Sequence, residues 1–220
     1  SVPVLCMDGP IDVFITGGPY KWATDAHFRG ATVFKIFESI WQLAAKEDPT
    51  LKKNVGYLFP NDSDGKVWSE QFSQMLPPLG YKITDPGRYP FLTKDFSAAI
   101  NQFKANNVEI IAGCDIPDDI AVILRQFKQQ GYQPKVFTVG KAVLLPSWIE
   151  SYGDWLGNGL TGEAWWTPYG GFKSKLLGID TQQYADMFEK QFNHQWQIPI
   201  AIKEAQLETA VDILSRAGSL

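Results

Sequence analysis

The sequence predicts an α/β protein, with parallel sheet covered by helices on both faces. Three observations carry that prediction. Short apolar runs alternate with longer amphipathic stretches along most of the chain, which is the rhythm of strand–helix–strand crossovers. Runs such as "NVGYLFP" and "VEIIAG" are apolar almost throughout, as strands covered on both faces are. Hydrophobic residues make up 45% of the 220 and charged residues 20%, so the chain can bury a sizeable core.

Taken in order, "VPVLCMD" reads as a buried strand bounded by Gly9-Pro10. "GPIDVFITGGPYKWATDAHFRG" reads as a long irregular stretch with turns at Gly17, Gly18 and Pro19. "ATVFKIFESIWQLAAKE" is a helix with Val33, Ile36, Phe37, Ile40, Leu43 and Ala44 on one stripe. "NVGYLFP" is a strand, "SDGKVWSEQFSQMLPPLG" a helix ended by its prolines, and "YKITDPGRY" a strand. "DFSAAINQFKANN" is a helix capped by Thr93 or Asp95. "VEIIAGCD" is a strand, and "DDIAVILRQFKQQG" a helix stopped by Gly131. "KVFTVG" is a strand, "LPSWIESYG" a short helix and "GLTGEAWWTP" a strand; "TQQYADMFEKQFNHQWQ" and "EAQLETAVDILSRAG" are helices. A chain that opens on a strand with no approach to it and closes at a helix end is expected to be a piece of something longer.

Parallel sheets of this kind bind ligands beyond the carboxyl ends of their strands. That rule selects Asp8 and Pro10, Asn61 to Asp64, Tyr89, Cys114 and Asp115, Gly140 and Lys141, and Trp165 and Trp166.

Several functions are disfavoured. A net charge of -4 argues against nucleic acid, and no apolar run approaches a membrane span. There is no G-x-S-x-G elbow, no P-loop, and no G-x-G-x-x-G directly after a strand. Only two histidines are present, His27 and His194, too few for a typical zinc site. "NDSDGK" begins like a calcium loop but lacks the glutamate at the twelfth position. Asp62, Ser63 or Asp64 reads better as the cap of the following helix. Cys6 and Cys114 are far apart and form no C-x-x-C, and each reads as a small buried hydrophobe. Asp118 and Asp119 suit a helix start, whereas Asp115 lies before it and is free to face a cleft. Lys141 follows a strand-ending glycine and is placed to hold an anionic group, or simply to be a solvated loop lysine. The 8 Trp and 14 Phe mostly fill core, with a share left to line a pocket. No cofactor, metal or catalytic residue is expected.

The order of "KKNVGYLFPNDSDGKVWSEQF", "DFSAAINQFKANNVEIIAGCDIPDDIAVILRQFKQQGYQPKVFTVG" and "LTGEAWWTP" resembles the type I periplasmic binding proteins. The branch is that of the receptors for branched-chain amino acids and aromatic acids in ABC transporters. "IKEAQLETAVDILSRAGSL" is similar to that family's closing helix. The resemblance covers nearly the whole chain, and "DFSAAI", "ILRQFKQQG" and "GEAWW" are its most specific parts.

The resemblance implies two α/β lobes. Residues 1–52 would end the first lobe, 53–198 form the second, and 199–220 return to the first, which would be incomplete here. It implies a small-molecule ligand held between lobes that close like a hinge, an ABC permease as partner, no insertion in the membrane, and a periplasmic or extracellular location. The ligand-facing set it implies is Asp8, Pro10, Trp22, Asp64, Cys114, Asp115, Lys141 and Trp165. Several positions depart from the family pattern, among them Asp8, Gly9 and Pro10, which replace the small or hydroxyl residues that grip the ligand carboxylate. Lys141 stands where the amino-acid receptors carry an acid for the ligand's ammonium, Asp64 where they carry a tyrosine, and Cys114 where an aromatic is common. A lysine cannot be the counter-charge of an ammonium, so an aromatic or other organic acid is expected beside amino-acid-like ligands, while Asp8, Asp64 and Asp115 suit a cation or polyol instead, and an amide, urea or short peptide stays open. The alternatives are a ligand-sensing regulatory domain of the same fold and, from another class, an α/β enzyme using Cys114.

Overall fold

The computed structural model describes residues 3–7, 9–153 and 159–217. Two parallel sheets organise them. The smaller pairs β1 (Val4–Cys6) with β2 (Ala23–Asp25), and α1 (Ile11–Gly17) lies between the two in sequence. The stretch expected to be irregular therefore holds a helix and a strand. Pro10 occupies the helix N-cap and Asp12 its first turn, where a carboxylate is favoured. The Asp12 carboxylate also accepts the Gly30 amide at 2.8 Å.

After α2 (Gly30–Glu47), the larger sheet is built from β3 (Asn54–Pro60), β4 (Lys82–Thr84), β5 (Arg88–Tyr89), β6 (Ile110–Gly113), β7 (Val136–Val139) and β8 (Leu160–Gly162). Its order is β4-β3-β6-β7-β8, every pairing is parallel, and β5 continues the β4 edge along the end of β3. The predicted strand "YKITDPGRY" is thus broken at Asp85-Pro86-Gly87, with proline confined to an edge as it must be. The first strand of the sheet, β3, lies inside it, with β4 on one side and β6 on the other. The gap between β3 and β6 is therefore the topological switch point.

Helices α2 and α3 (Ser63–Met75) cover one face. Their aromatics Phe37, Trp41, Trp68 and Phe72 pack with Tyr57 and Phe59 of β3. The Trp41 indole donates to Thr138 Oγ1 at 2.8 Å across this core. The buried stripe of α2 is Val33, Phe34, Phe37 and Trp41, while Ile36 and Leu43 are exposed. The helix has turned its largest rings inward, since Phe34 and Trp41 bury more apolar area than the aliphatic residues of the predicted stripe. The other face is covered by α4 (Ser97–Ala105) and α5 (Pro117–Gln129), with Ile100, Phe103, Ile123 and Phe127 against Ile111 and Phe137. Gly131 follows α5 at φ +60°, the left-handed conformation that ends helices.

The chain continues through α6 (Pro146–Ser151), α7 (Thr181–Phe192) and α8 (Ile200–Arg216). Asp180 and Gln183 close a capping box on α7. Among the described residues no helix is long and apolar enough to cross a membrane.

Candidate functional site

The carboxyl ends of β3, β6, β7 and β8 carry a cluster of charged side chains, most of them covered. At the end of β3, Asp62 is the N-cap of α3, its Oδ1 accepting the Gly65 amide at 2.7 Å. Asp64 lies in the first turn of the same helix. At the end of β7, Lys141 reaches back to both, with Nζ 2.8 Å from Asp62 Oδ2 and 2.6 Å from Asp64 Oδ2. All three side chains are roughly three-quarters covered or more, at 26%, 20% and 18% exposure. Lys141 has φ +63°, a left-handed conformation that disfavours any residue but glycine by about 1–2 kcal/mol. Strain of this kind persists at sites where the surroundings fix it.

Glu163 follows β8 directly and is 4% exposed. Its Oε1 accepts the Lys141 backbone N–H at 3.3 Å. Burial raises its pKa to about 6, against the opposing influence of the Trp165 indole and the Lys141 amide. For Lys141, burial acts to lower the pKa, but the anionic groups around it, Asp64 and Asp62 included, outweigh that and hold the ammonium above its usual range.

At the end of β6, Asp115 is fully buried and accepts a short hydrogen bond from the Tyr89 hydroxyl, while its Oδ2 has no partner. Burial pushes this carboxyl well above the ordinary range, against the opposing hydrogen bond from Tyr89. Asp119 Oδ1 accepts the Leu92 amide at 2.9 Å. That bond secures the loop that sets the Phe91 ring 5.9 Å from Lys141 Nζ.

The smaller sheet faces the same region with its own carboxyl ends. Pro10, Cys6 and Asp25 line a crevice of about 490 Å³ that Ser63 of α3 also lines. His27, just past β2, sets its ring 5.4 Å from that of Trp165, past β8.

Of the residues selected from the sequence, Asp64, Lys141, Asp115 and Trp165 meet at this end of the sheet, and Pro10 lines the crevice beside it. Asp8 lies outside the described residues. Trp22 precedes β2, at the opposite end of that strand from Asp25; it is 50% exposed and lies under Lys21. The structure does not bring it to the cluster. Cys114 is near but turned away, 0% exposed in the core beneath α2 and α3. Burial raises its thiol pKa well above the ordinary value, which leaves no thiolate nucleophile. Glu163, Asp62, Tyr89 and Phe91 complete the set. The strand-end rule had reached Asp62 and Tyr89, but not Glu163 or Phe91.

The model of a family described as periplasmic binding protein matches residues 19–220. The chain belongs to that family. Periplasmic binding proteins are binding proteins rather than enzymes, and a periplasmic location comes with membership. Solved structures agree on the fold. A leucine-binding protein, LivK, from Thermotoga maritima is 18% identical with a TM-score of 0.75, the match covering 93% of this chain and 55% of that one. A leucine-, isoleucine-, valine-, threonine- and alanine-binding protein from Brucella ovis is 15% identical at TM-score 0.64, over 85% and 45%. A periplasmic ligand-binding protein of a branched-chain amino acid ABC transporter from Burkholderia xenovorans is 20% identical at TM-score 0.55, over 77% and 41%. This periplasmic binding protein thus spans about half the length of those relatives.

Proposed function

We propose that the chain is part of a solute receptor that serves an ABC importer. It would take a small organic ligand between two lobes, close around it, and dock on a membrane permease, without chemistry of its own. One observation carries this reading: the carboxyl end of the smaller sheet opens on a crevice that Ser63, at the start of α3, also lines, while a mostly covered charged cluster lies at the switch point of the larger sheet. A crevice of that size and position suits a small molecule. The burial of Cys114 supports the non-catalytic reading. Asp64, Lys141, Asp115, Trp165 and Pro10 are proposed to face the ligand, joined by Glu163, Asp62, Tyr89 and Phe91.

The lobes are part of the proposal. The return to the first lobe stays at 199. We draw the start of the second lobe at Gly30 rather than after Lys52, because α2 packs its buried stripe on the larger sheet.

The test is a thermal-shift screen of the protein at its natural length against amino acids, aromatic acids, amides and polyols. One chemical class is expected to raise Tm, since a ligand at 100 times Kd stabilises by about 2.7 kcal/mol. A screen in which nothing stabilises, or a turnover lost in Cys114→Ala, would overturn the receptor reading.

A further inference from the structure

We infer that the loop between β8 and α7 is a contact for an anionic lipid surface: its apolar tip dips into the headgroup layer and two lysines meet the phosphates. The inference needs the periplasmic location and is independent of the ligand site.

The loop is built to hold a shape. Lys173 and Asp180 bridge antiparallel. The Ser174 amide donates to the Ile179 carbonyl at 2.9 Å, and the Gly178 amide to the Ser174 carbonyl at 3.1 Å. The Ser174 hydroxyl accepts the Leu177 amide at 2.9 Å and is bonded to the Glu208 carboxylate of α8, with Glu204 3.2 Å away. The Leu176 amide donates to the same Glu208 at 3.2 Å. At the loop's exit Asp180 caps α7, and the Thr181 hydroxyl donates to the Pro168 carbonyl at 2.7 Å. A loop fastened at so many points cannot fold its apolar side chains away.

Its surface has the composition of a lipid contact. Tyr169 is 83% exposed, Phe172 73%, Leu176 49% and Leu177 45%. Lys173 and Lys175 are exposed between them, and no salt bridge among the described residues holds either ammonium. No acid occurs from Ala164 to Ile179, although the whole chain carries a net charge of -4. The nearest acids are turned elsewhere: Glu204 and Glu208 onto Ser174, and Asp180 onto the α7 amides. The patch is therefore locally cationic and complements an anionic surface.

The shape decides between a lipid and a protein. From Phe172 to Gly178 every residue but Ser174 is exposed, so the tip projects. A stable protein interface takes about 800 Å² from each partner, spread over roughly 20–30 residues, and a narrow projecting tip offers far less. A bilayer interface accepts aromatic and aliphatic side chains singly, with lysines stretched toward the headgroups. One lysine near such a surface is worth about fivefold in partitioning, and two about thirtyfold.

The test uses the protein at its natural length, without covalent lipid, and two kinds of vesicle: phosphatidylglycerol with phosphatidylcholine in equal parts, and phosphatidylcholine alone. Cosedimentation is expected to show binding to the anionic vesicles, at least tenfold weaker binding to the neutral ones, and loss in about 1 M salt. The double variant Lys173→Gln, Lys175→Gln is expected to bind about thirtyfold more weakly. Phe172→Ser with Leu176→Ser is expected to bind at least tenfold more weakly, and both variants to keep the parent Tm because the side chains are exposed. A polarity-sensitive dye on Leu176→Cys, in a Cys6→Ser background, is expected to shift to the blue when anionic vesicles are added.

Equal binding to both vesicles, no binding to either, or binding unchanged in both variants would overturn the inference. A dye already shielded from a water-soluble quencher before vesicles are added would overturn it too, because another part of the chain would then cover the tip. So would a dimer in sedimentation that Phe172→Ser abolishes, which would assign the tip to a second copy. The receptor reading stands apart from all of these outcomes and depends on the ligand screen.

Discussion

Two lysines flank β7, and each holds two carboxylates, but in different surroundings. Lys135, before the strand, meets Asp48 at 2.8 Å and Glu109 at 3.2 Å, and the lysine and Asp48 side chains are 39% and 43% exposed. Lys141, after the strand, meets Asp62 and Asp64 at similar distances; the lysine and Asp62 are better covered, at 26% and 20%, while Asp64 at 18% matches Glu109 at 17%. The chemistry is the same; the solvent is not. At the open end water can replace a lost partner, so the network acts as a seam between α2, β6 and β7. At the covered end water replaces little, so each group depends on the others. A charged cluster kept under those conditions, with a left-handed lysine inside it, is the better candidate for function.

Removing the lysines breaks or confirms that contrast, with the largest expected effect. Lys141→Met leaves Asp62 and Asp64 covered without their cation. Loss of one partner from a fully buried pair costs about 3–5 kcal/mol, and the partial exposure here reduces this to about 2–3 kcal/mol, read from urea denaturation. Lys135→Met is expected to leave the urea midpoint nearly unchanged. Equal shifts would mean that the two ends are energetically alike.

Carboxylates at the two ends should respond to pH with opposite signs. Glu163 has a folded pKa of about 6 against an ordinary 4.5, so the folded state binds more protons between those values and stability falls as pH rises through them. Glu163→Gln removes that loss and is expected to stabilise the protein by about 2 kcal/mol at pH 7, an effect that vanishes near pH 4. Asp48 is the reverse case: hydrogen bonds from Lys135 and Thr50 lower it from 3.8 to about 2. Its contribution is present above 3.8 and is lost as pH falls toward 2. Asp48→Asn should therefore weaken the protein at pH 7 and make no difference at pH 2. Denaturation midpoints across pH 2–8 for both variants check both signs; a shared sign would refute the contrast.

Much of this was legible in the residues, and the failures have identifiable causes. The larger sheet followed from its apolar runs, and the strand-end rule found Asp62, Asp64, Tyr89, Asp115 and Lys141. Glu163 escapes the rule because "GLTGEAWWTP" reads as strand throughout, which moves the strand end to Trp165 and Trp166. In fact β8 stops at Gly162, and the rule applied there points to Glu163. Trp22 failed for the converse reason. Its stretch was not read as a strand, so nothing indicated that it precedes β2 instead of following it. Cys114 could have been placed by parity. Side chains alternate along a strand, so Cys114 shares the face of Ile110 and Ala112, which is the face beneath α2 and α3. The charge state of the cluster was beyond sequence, because it depends on Lys141 folding back onto α3.

Salt provides the finest distinction, and the smallest expected effect. The Debye length falls from about 10 Å at 0.1 M to about 3 Å at 1 M, so exposed pairs are screened while covered ones largely are not. In urea with added sodium chloride, the small loss in Asp48→Asn should shrink to nothing, whereas the loss in Lys141→Met should persist nearly whole. If the Lys141→Met loss also vanished, the cluster at the strand ends would be a solvated ion pair like the one at the open end. If it persists, a low effective dielectric at the covered end is what makes the cluster hard to disrupt, because the attraction between its charges is then little weakened by solvent.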